Sequence, residues 1–170
     1  PAADLYTLHT ASQGVAGARD RIALFLNHPK EKVHVITNDV GGGFGMKNFI
    51  YPEQLCVLLG AKATGRPVKW TGERSEGFMG DADGRDMRTK AEAALDADGK
   101  LTALRITGSG NVGGYLSQFA IFIPTLAGGR IFGGVYRIPH VFANVKCWFT
   151  TTGPVDAYRG AGRPAAAFLM

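Results

Sequence analysis

Val33-His34-Val35-Ile36-Thr37, followed by Gly41-Gly42-Gly43-Phe44-Gly45 and then by the run Pro52 to Thr64, decides how the fold is read. Val33 and Val35 share one face of a short β-branched strand. From Pro52 onward, Leu55, Leu58, Leu59 and Lys62 share one side of a helix. Pro52 stands in its first turn, and Glu53 complements the helix dipole there. Gly65 is placed to cap it and Pro67 follows, as past a helix end. A glycine loop between a strand and a helix gathers backbone N–H groups that can hold an anion. This loop lacks the Gly-x-x-x-x-Gly-Lys-Ser/Thr of a P-loop. It also lacks the Gly-x-Gly-x-x-Gly of a dinucleotide fold. Taken alone, it reads equally as a tight structural turn and as a ligand cradle.

Upstream, Leu5 to Thr10 alternates weakly as a strand. Gly14 to Leu26 carries Val15, Ala18, Ile22 and Leu26 at helical spacing, closed by Pro29. Up to Trp70 the order is therefore strand, helix, strand, glycine loop, helix, strand. Downstream, Thr89 to Leu95 and Leu101 to Thr107 flank Asp96-Ala97-Asp98-Gly99, a hairpin signal. Residues 108–134 hold three glycine pairs and show no clear period. In Val141 to Phe149, the residues Val141, Ala143, Val145, Cys147 and Phe149 alternate against Asn144 and Lys146. The expectation is an α+β fold, mixed sheets with packed helices, in one domain over residues 1–170 without repeats or a dividing linker. The chain opens Pro1-Ala2-Ala3 and stops two turns into a helix begun at Pro164. It therefore reads as a piece of a longer polypeptide, with surfaces that belong against missing neighbours.

The 170 residues are 45% hydrophobic and 19% charged, the balance of a folded domain with its own core. The 24 glycines are about twice the ordinary share of ~7%, and they mark backbone in unusual conformations or approached closely. No apolar run reaches the ~18 residues of a membrane span. The net charge of +5 is scattered, with no basic stripe or aromatic platform for nucleic acid. A phosphorylated cofactor suits it better than a polynucleotide. Cys56 and Cys147 form no CxxC and no zinc spacing, which fits buried thiols in a reducing, cytoplasmic compartment.

Two further stretches carry chemistry. In Ala157-Tyr158-Arg159-Gly160-Ala161-Gly162-Arg163-Pro164 an extended segment breaks into a helix start through two glycines, with two guanidinium groups beside the free amides. A solvated arginine pair on a loop is the equal alternative. In Ser12-Gln13-Gly14, at a strand-to-helix junction, Gln13 offers a neutral amide to a ligand oxygen, or else caps the helix or faces water.

Taken together, Gly41 to Lys47 and Ala157 to Pro164 resemble the large subunit of molybdenum hydroxylases, the family of xanthine dehydrogenase, aldehyde oxidase and aerobic carbon monoxide dehydrogenase. Supporting pieces fall in family order: Thr10-Ala11-Ser12-Gln13, Gly65-Arg66-Pro67-Val68-Lys69, Glu73-Arg74-Ser75-Glu76 and Tyr136-Arg137-Ile138-Pro139. The resemblance covers essentially the whole chain. It implies the first of two molybdenum-cofactor-binding domains, cut from a larger subunit. The implied cofactor is a molybdenum pyranopterin (molybdopterin, or its cytosine dinucleotide form), whose dithiolene holds the metal without a protein ligand. The implied reaction is hydroxylation of a carbon with oxygen from water. Electrons would leave through 2Fe-2S clusters and FAD carried by other subunits or domains.

Carried over residue by residue, the resemblance has Gln13 donate toward an oxygen of the molybdenum centre. It has Phe44 offer backbone contact, with Gly43 and Gly45 letting the chain come close, and Arg159 hold the same cofactor from the other bend. Arg85 matches a substrate-orienting arginine of purine-handling members, or is a surface residue near an acidic turn. Asn48 stands where purine hydroxylases carry a carboxylate, and Ala161 where they carry an aromatic ring, which argues against xanthine. Gly160 stands where carbon monoxide dehydrogenases carry a copper-binding cysteine. An aldehyde or an aromatic N-heterocycle remains as substrate. The family's general-base Glu belongs to a downstream domain, so no catalytic residue and no metal ligand is expected in this chain. The expected partners are the rest of the large subunit, the iron–sulfur and flavin subunits, and a small molecule, with no nucleic acid and no membrane. The alternatives are a non-catalytic scaffold and a phosphate- or nucleotide-binding module built on the glycine loop.

Overall fold

The computed structural model describes residues 4–170; Pro1-Ala2-Ala3 lie outside the described residues. Its contacts divide into two units, Pro1–Phe78 and Met79–Met170.

In the first unit, β1 (Tyr6–His9) pairs in parallel with β2 (Val33–Ile36), in the register Tyr6 to Val33 and Leu8 to Val35. Parallel neighbours need a crossover, and α1 (Val15–Phe25) supplies it. Tyr6, Leu8, Val33 and Val35 point inward while Thr7 and His34 stay out, the period-2 pattern of a strand with one covered face. Ala18, Ile22 and Leu58 complete the core, Leu58 coming from α2 (Pro52–Thr64). Gly65 ends α2 at φ 64°, as its place in the sequence predicts. Leu59, expected on the buried side of α2, is half exposed. Ile22 is fully buried. Its replacement by Ala should lower unfolding free energy by about 2–4 kcal/mol, read as a drop in denaturation midpoint.

The strand expected after Gly65 does not form. Residues 66–73 are irregular, and Trp70 is half exposed, outside every ladder among the described residues. Instead a helix the sequence did not announce, α3 (Arg74–Gly80), follows. Glu76 Oε2 accepts the N–H of Glu73 at 2.6 Å and closes its first turn.

In the second unit, β3 (Met87–Leu95), β4 (Leu101–Gly113) and β5 (His140–Phe149) form a sheet in that order. β3 runs antiparallel to β4, and β5 runs parallel to it. The expected hairpin is present: Asp96 Oδ1 accepts from the N–H of Asp98 and of Lys100 across the turn. β4 runs on through Gly108 and Gly110, past the expected end at Thr107. A side chain on Gly110 would strike the ring of Pro124, 2.9 Å away, in a π-helical turn at Ile123–Ala127. The glycines that hide the strand in the sequence are thus what lets this turn pack on it. Leu104, Ile106, Phe132 and Ala166, the last from α4 (Arg163–Leu169), make the core.

The expected inward row of β5 is only partly covered. Val145 and Cys147 are half-buried, but Val141, Ala143 and Phe149 are exposed, because β5 is an edge strand. On its other face Phe142 and Trp148 are each 56% exposed. Cys56 is exposed, against the expectation of two buried thiols, while burial pushes the Cys147 thiol up from its ordinary pKa. Among the described residues no helix is long and apolar enough to cross a membrane.

Candidate functional site

In the first unit the site begins where β1 ends. Thr10 is fixed twice: its carbonyl accepts from the Thr37 hydroxyl at 2.7 Å, and its own hydroxyl accepts from Gln54 Nε2 at 3.0 Å. Gln54 in turn accepts from the N–H of Tyr51, so the start of α2 and the end of β1 share one side chain. The chain then turns through Ser12, whose hydroxyl accepts from the N–H of Gly14 at 3.1 Å. This turn delivers Gln13 to the glycine loop. The N–H of Gln13 donates to the Lys47 carbonyl at 2.9 Å, and Gln13 Oε1 accepts from the N–H of Gly45 at 2.8 Å. Because the oxygen end of the amide is committed to Gly45, its NH₂ end is turned away from that contact as a donor pair.

The loop is shaped around that side chain. A methyl group on Gly43 would lie 2.3 Å from Gln13 Cγ and 2.6 Å from Oε1, so only glycine admits the contact. Phe44 at φ 53° and Gly45 at φ 99° are both left-handed, a conformation costly for the phenylalanine. Phe44 is 50% exposed. Lys47 Nζ donates to the Val40 carbonyl and ties the loop's two ends together. Asn48 closes a 3₁₀ turn (Met46–Asn48) behind the loop. Its N–H donates to the Gly45 carbonyl and its carbonyl accepts from Arg21 at 3.0 Å.

In the second unit, Ala157 to Gly162 makes a sharp bend, with Gly160, Ala161 and Gly162 all at positive φ. Gly162 lies where any side chain would come within 2.4 Å of the Ile123 carbonyl oxygen. Asp156, which opens the bend, is 1% exposed. Its Oδ2 accepts from the N–H of Phe119 at 3.0 Å and its Oδ1 from the N–H of Ala157 at 2.6 Å. Arg85 donates from its guanidinium to the carbonyls of Tyr158 and Arg159, at 3.2 and 2.9 Å. A cavity of about 180 Å³ is lined by Arg85, Asp156, Tyr158, Ala161 and Gly162 among others. Ligand pockets usually run to ~300–1,000 Å³, so this one suits a single small group rather than a whole cofactor.

The structure thus brings Gln13, Gly43 and Gly45 into one cluster, with Phe44 on the loop itself and Asn48 directly behind. Separately, in the second unit, it brings Arg85, Arg159 and Ala161 together. Gln54 and Asp156 escape the sequence reading. Gln54 sits in an ordinary first helical turn, and nothing local marks Asp156 as buried. The donors assembled at both bends are amides and guanidinium groups, the chemistry that binds oxygens and phosphates rather than ligating a metal. A cofactor that brings its own metal ligands fits this donor set.

A family model described as the molybdopterin cofactor-binding domain matches residues 1–170. The gamma subunit of the 6-hydroxypseudooxynicotine dehydrogenase complex of Paenarthrobacter nicotinovorans is 35% identical over 86% of the chain and 18% of its own length. The carbon monoxide dehydrogenase large chain of Hydrogenophaga pseudoflava is 33% identical over 96% of the chain and 20% of its own length. The crystal structure of quinoline 2-oxidoreductase from Pseudomonas putida 86 superposes with a TM-score of 0.87 at 34% identity, over 92% of this chain and 20% of that one. The chain therefore spans about a fifth of the length of the proteins it matches.

Proposed function

The chain belongs to the molybdopterin cofactor-binding domain family, and we propose that it forms one wall of the cofactor site in a molybdenum hydroxylase that oxidises an aldehyde or an aromatic N-heterocycle with oxygen from water. The observation that carries this reading is the Gln13 amide, locked by the N–H of Gly45 at 2.8 Å and seated against Gly43. An amide held this way loses little freedom when it donates to a ligand oxygen, which is what a preorganised site requires. Gln13 would donate to an oxygen of the cofactor. Phe44 would offer backbone contact, Gly43 and Gly45 would let the chain come close, and Arg159 would supply positive charge from the second bend. When bound, a molybdenum cofactor supplies the redox centre at which a substrate carbon is hydroxylated.

Quinoline, the compound named for one structural relative, is an aromatic N-heterocycle, which supports that half of the substrate class. Asn48 and Ala161, in place of a carboxylate and an aromatic ring, support a substrate other than xanthine. Gly160 supplies no thiol for copper. The general base belongs to a Glu elsewhere in the large subunit. Iron–sulfur and flavin partners would carry the electrons away in a cytoplasmic complex, and the pterin would be in its plain or cytosine dinucleotide form.

The test is Gln13→Ala in the complete enzyme. Loss of one preorganised donor should slow turnover by about tenfold to a hundredfold, with molybdenum content by metal analysis near wild type. An unchanged rate would favour a scaffold, and wild-type enzyme free of molybdenum would end the proposal.

A further inference from the structure

We propose that Arg85 is a positioning residue: it holds the Tyr158–Gly162 bend in shape rather than touching substrate. This deepens the cofactor-wall reading and rests on it for the bend's purpose, though the clamp itself is a property of the second unit alone. Two guanidinium nitrogens of Arg85 are committed to two consecutive backbone carbonyls, Nη1 to Tyr158 at 3.2 Å and Nη2 to Arg159 at 2.9 Å. The guanidinium carbon also lies 5.3 Å from the centroid of the Tyr158 ring. In a trans peptide the C=O and N–H point opposite ways. Drawing both carbonyls toward Arg85 therefore aims the N–H groups of Arg159 and Gly160 away from it and fixes the orientation of both peptides in the bend.

The segment that carries Arg85 is built for this contact. Gly84 lies so close to Tyr158 that a methyl group there would come within 2.4 Å of its Cβ. The N–H of Asp83 donates to the Pro154 carbonyl at 2.9 Å, and the N–H of Asp156 returns to the Asp83 carbonyl at 2.8 Å. Arg85 and Asp86 are held at φ 77° and 48°, left-handed values that L residues adopt only under constraint. Asn111 supplies that constraint, donating from its backbone to the Asp86 carbonyl at 3.1 Å and from its side chain to Asp86 Oδ2 at 2.7 Å. Strain is thus stored on both sides of the clamp, at Arg85-Asp86 and at Ala161 (φ 46°). A lysine could reach one carbonyl; only the planar fork of an arginine reaches both.

The experiment compares wild type, Arg85→Ala and Arg85→Lys in the complete enzyme, by amide hydrogen exchange over residues 157–163 together with kcat and KM. Loss of two charge-assisted hydrogen bonds should speed exchange of this segment by about tenfold or more in the Ala variant. The Lys variant should also exchange faster than wild type. For both, kcat should fall while KM stays within about twofold. Wild-type exchange at 157–163 together with a raised KM would overturn the proposal and return Arg85 to the substrate. Protection in β3 and β4 reports folding of each variant. Where the Ala variant has lost that protection, the Lys variant decides, and wild-type exchange in it overturns the clamp. Wild-type enzyme lacking molybdenum would sink the cofactor reading, while the exchange rates at 157–163 would still decide whether Arg85 is a clamp.

Discussion

Gly43→Ala is expected to cut turnover of the complete enzyme by about 10³-fold, more than Gln13→Ala does. The added methyl would sit 2.3 to 2.6 Å from the Cγ, Cδ and Oε1 atoms of Gln13. Those atoms belong to a flexible side chain, so the protein survives by swinging Gln13 aside. Folding stability should fall by only about 1 kcal/mol, the scale of one hydrogen bond lost at an exposed place. Function suffers twice. Gln13 loses its lock on the N–H of Gly45, so the amide is no longer aimed. The added methyl also narrows the approach that Gly43 would keep open, which Gln13→Ala leaves clear. Molybdenum content should therefore drop in Gly43→Ala, whereas in Gln13→Ala it should stay near wild type. Metal analysis and steady-state rates on the two variants check this pair, and equal molybdenum contents would refute it.

The second large effect belongs to Asp156. A carboxylate 1% exposed is expensive to bury unless its oxygens are satisfied. Here both are, by the N–H groups of Phe119 and Ala157. Asp156→Ala would leave two backbone donors facing a void, at about 1–3 kcal/mol for each. Local exchange at Phe119 and Ala157 should accelerate by about a hundredfold or more, since each ~1.4 kcal/mol is a factor of ten in opening. Asp156→Asn is the informative companion. Asparagine can accept only through one oxygen, and its NH₂ must face one of the two amide donors. It should thus fall between wild type and Ala, with one of the two amides still protected. An Asn variant as protected as wild type at both amides would show that the carboxylate is not what holds the bend.

Residues whose meaning is local are legible in the sequence. Pro52 and Gly65 bracket α2 because a proline fits a first helical turn and a glycine a left-handed cap. Asp96 to Gly99 closes a hairpin because turn chemistry depends on a few adjacent residues. Gln13 and the glycine loop stand out as candidates by type and order alone. Their contact is not readable there, because Gln13 and Gly45 are brought together only by the parallel pairing of β1 with β2 and by the turn at Ser12. The strand expected after Gly65 fails for a related reason: a ladder partner is what makes a strand, and residues 66–73 join no ladder among the described residues.

By itself, then, the order of residues determined the family, the α+β character, the hairpin, the caps of α2 and the two glycine-rich bends. Each of these follows from short-range periodicity, turn stereochemistry or motif spacing. Tertiary structure alone decided that β5 lies parallel to β4 as an exposed edge, that Gly110 yields to Pro124, that Asp156 is buried, and that Arg85 spends its fork on the carbonyls of Tyr158 and Arg159. The physical reason is distance along the chain: these outcomes depend on which remote backbone groups arrive beside a residue, and hydrogen-bond satisfaction and burial are settled only on arrival.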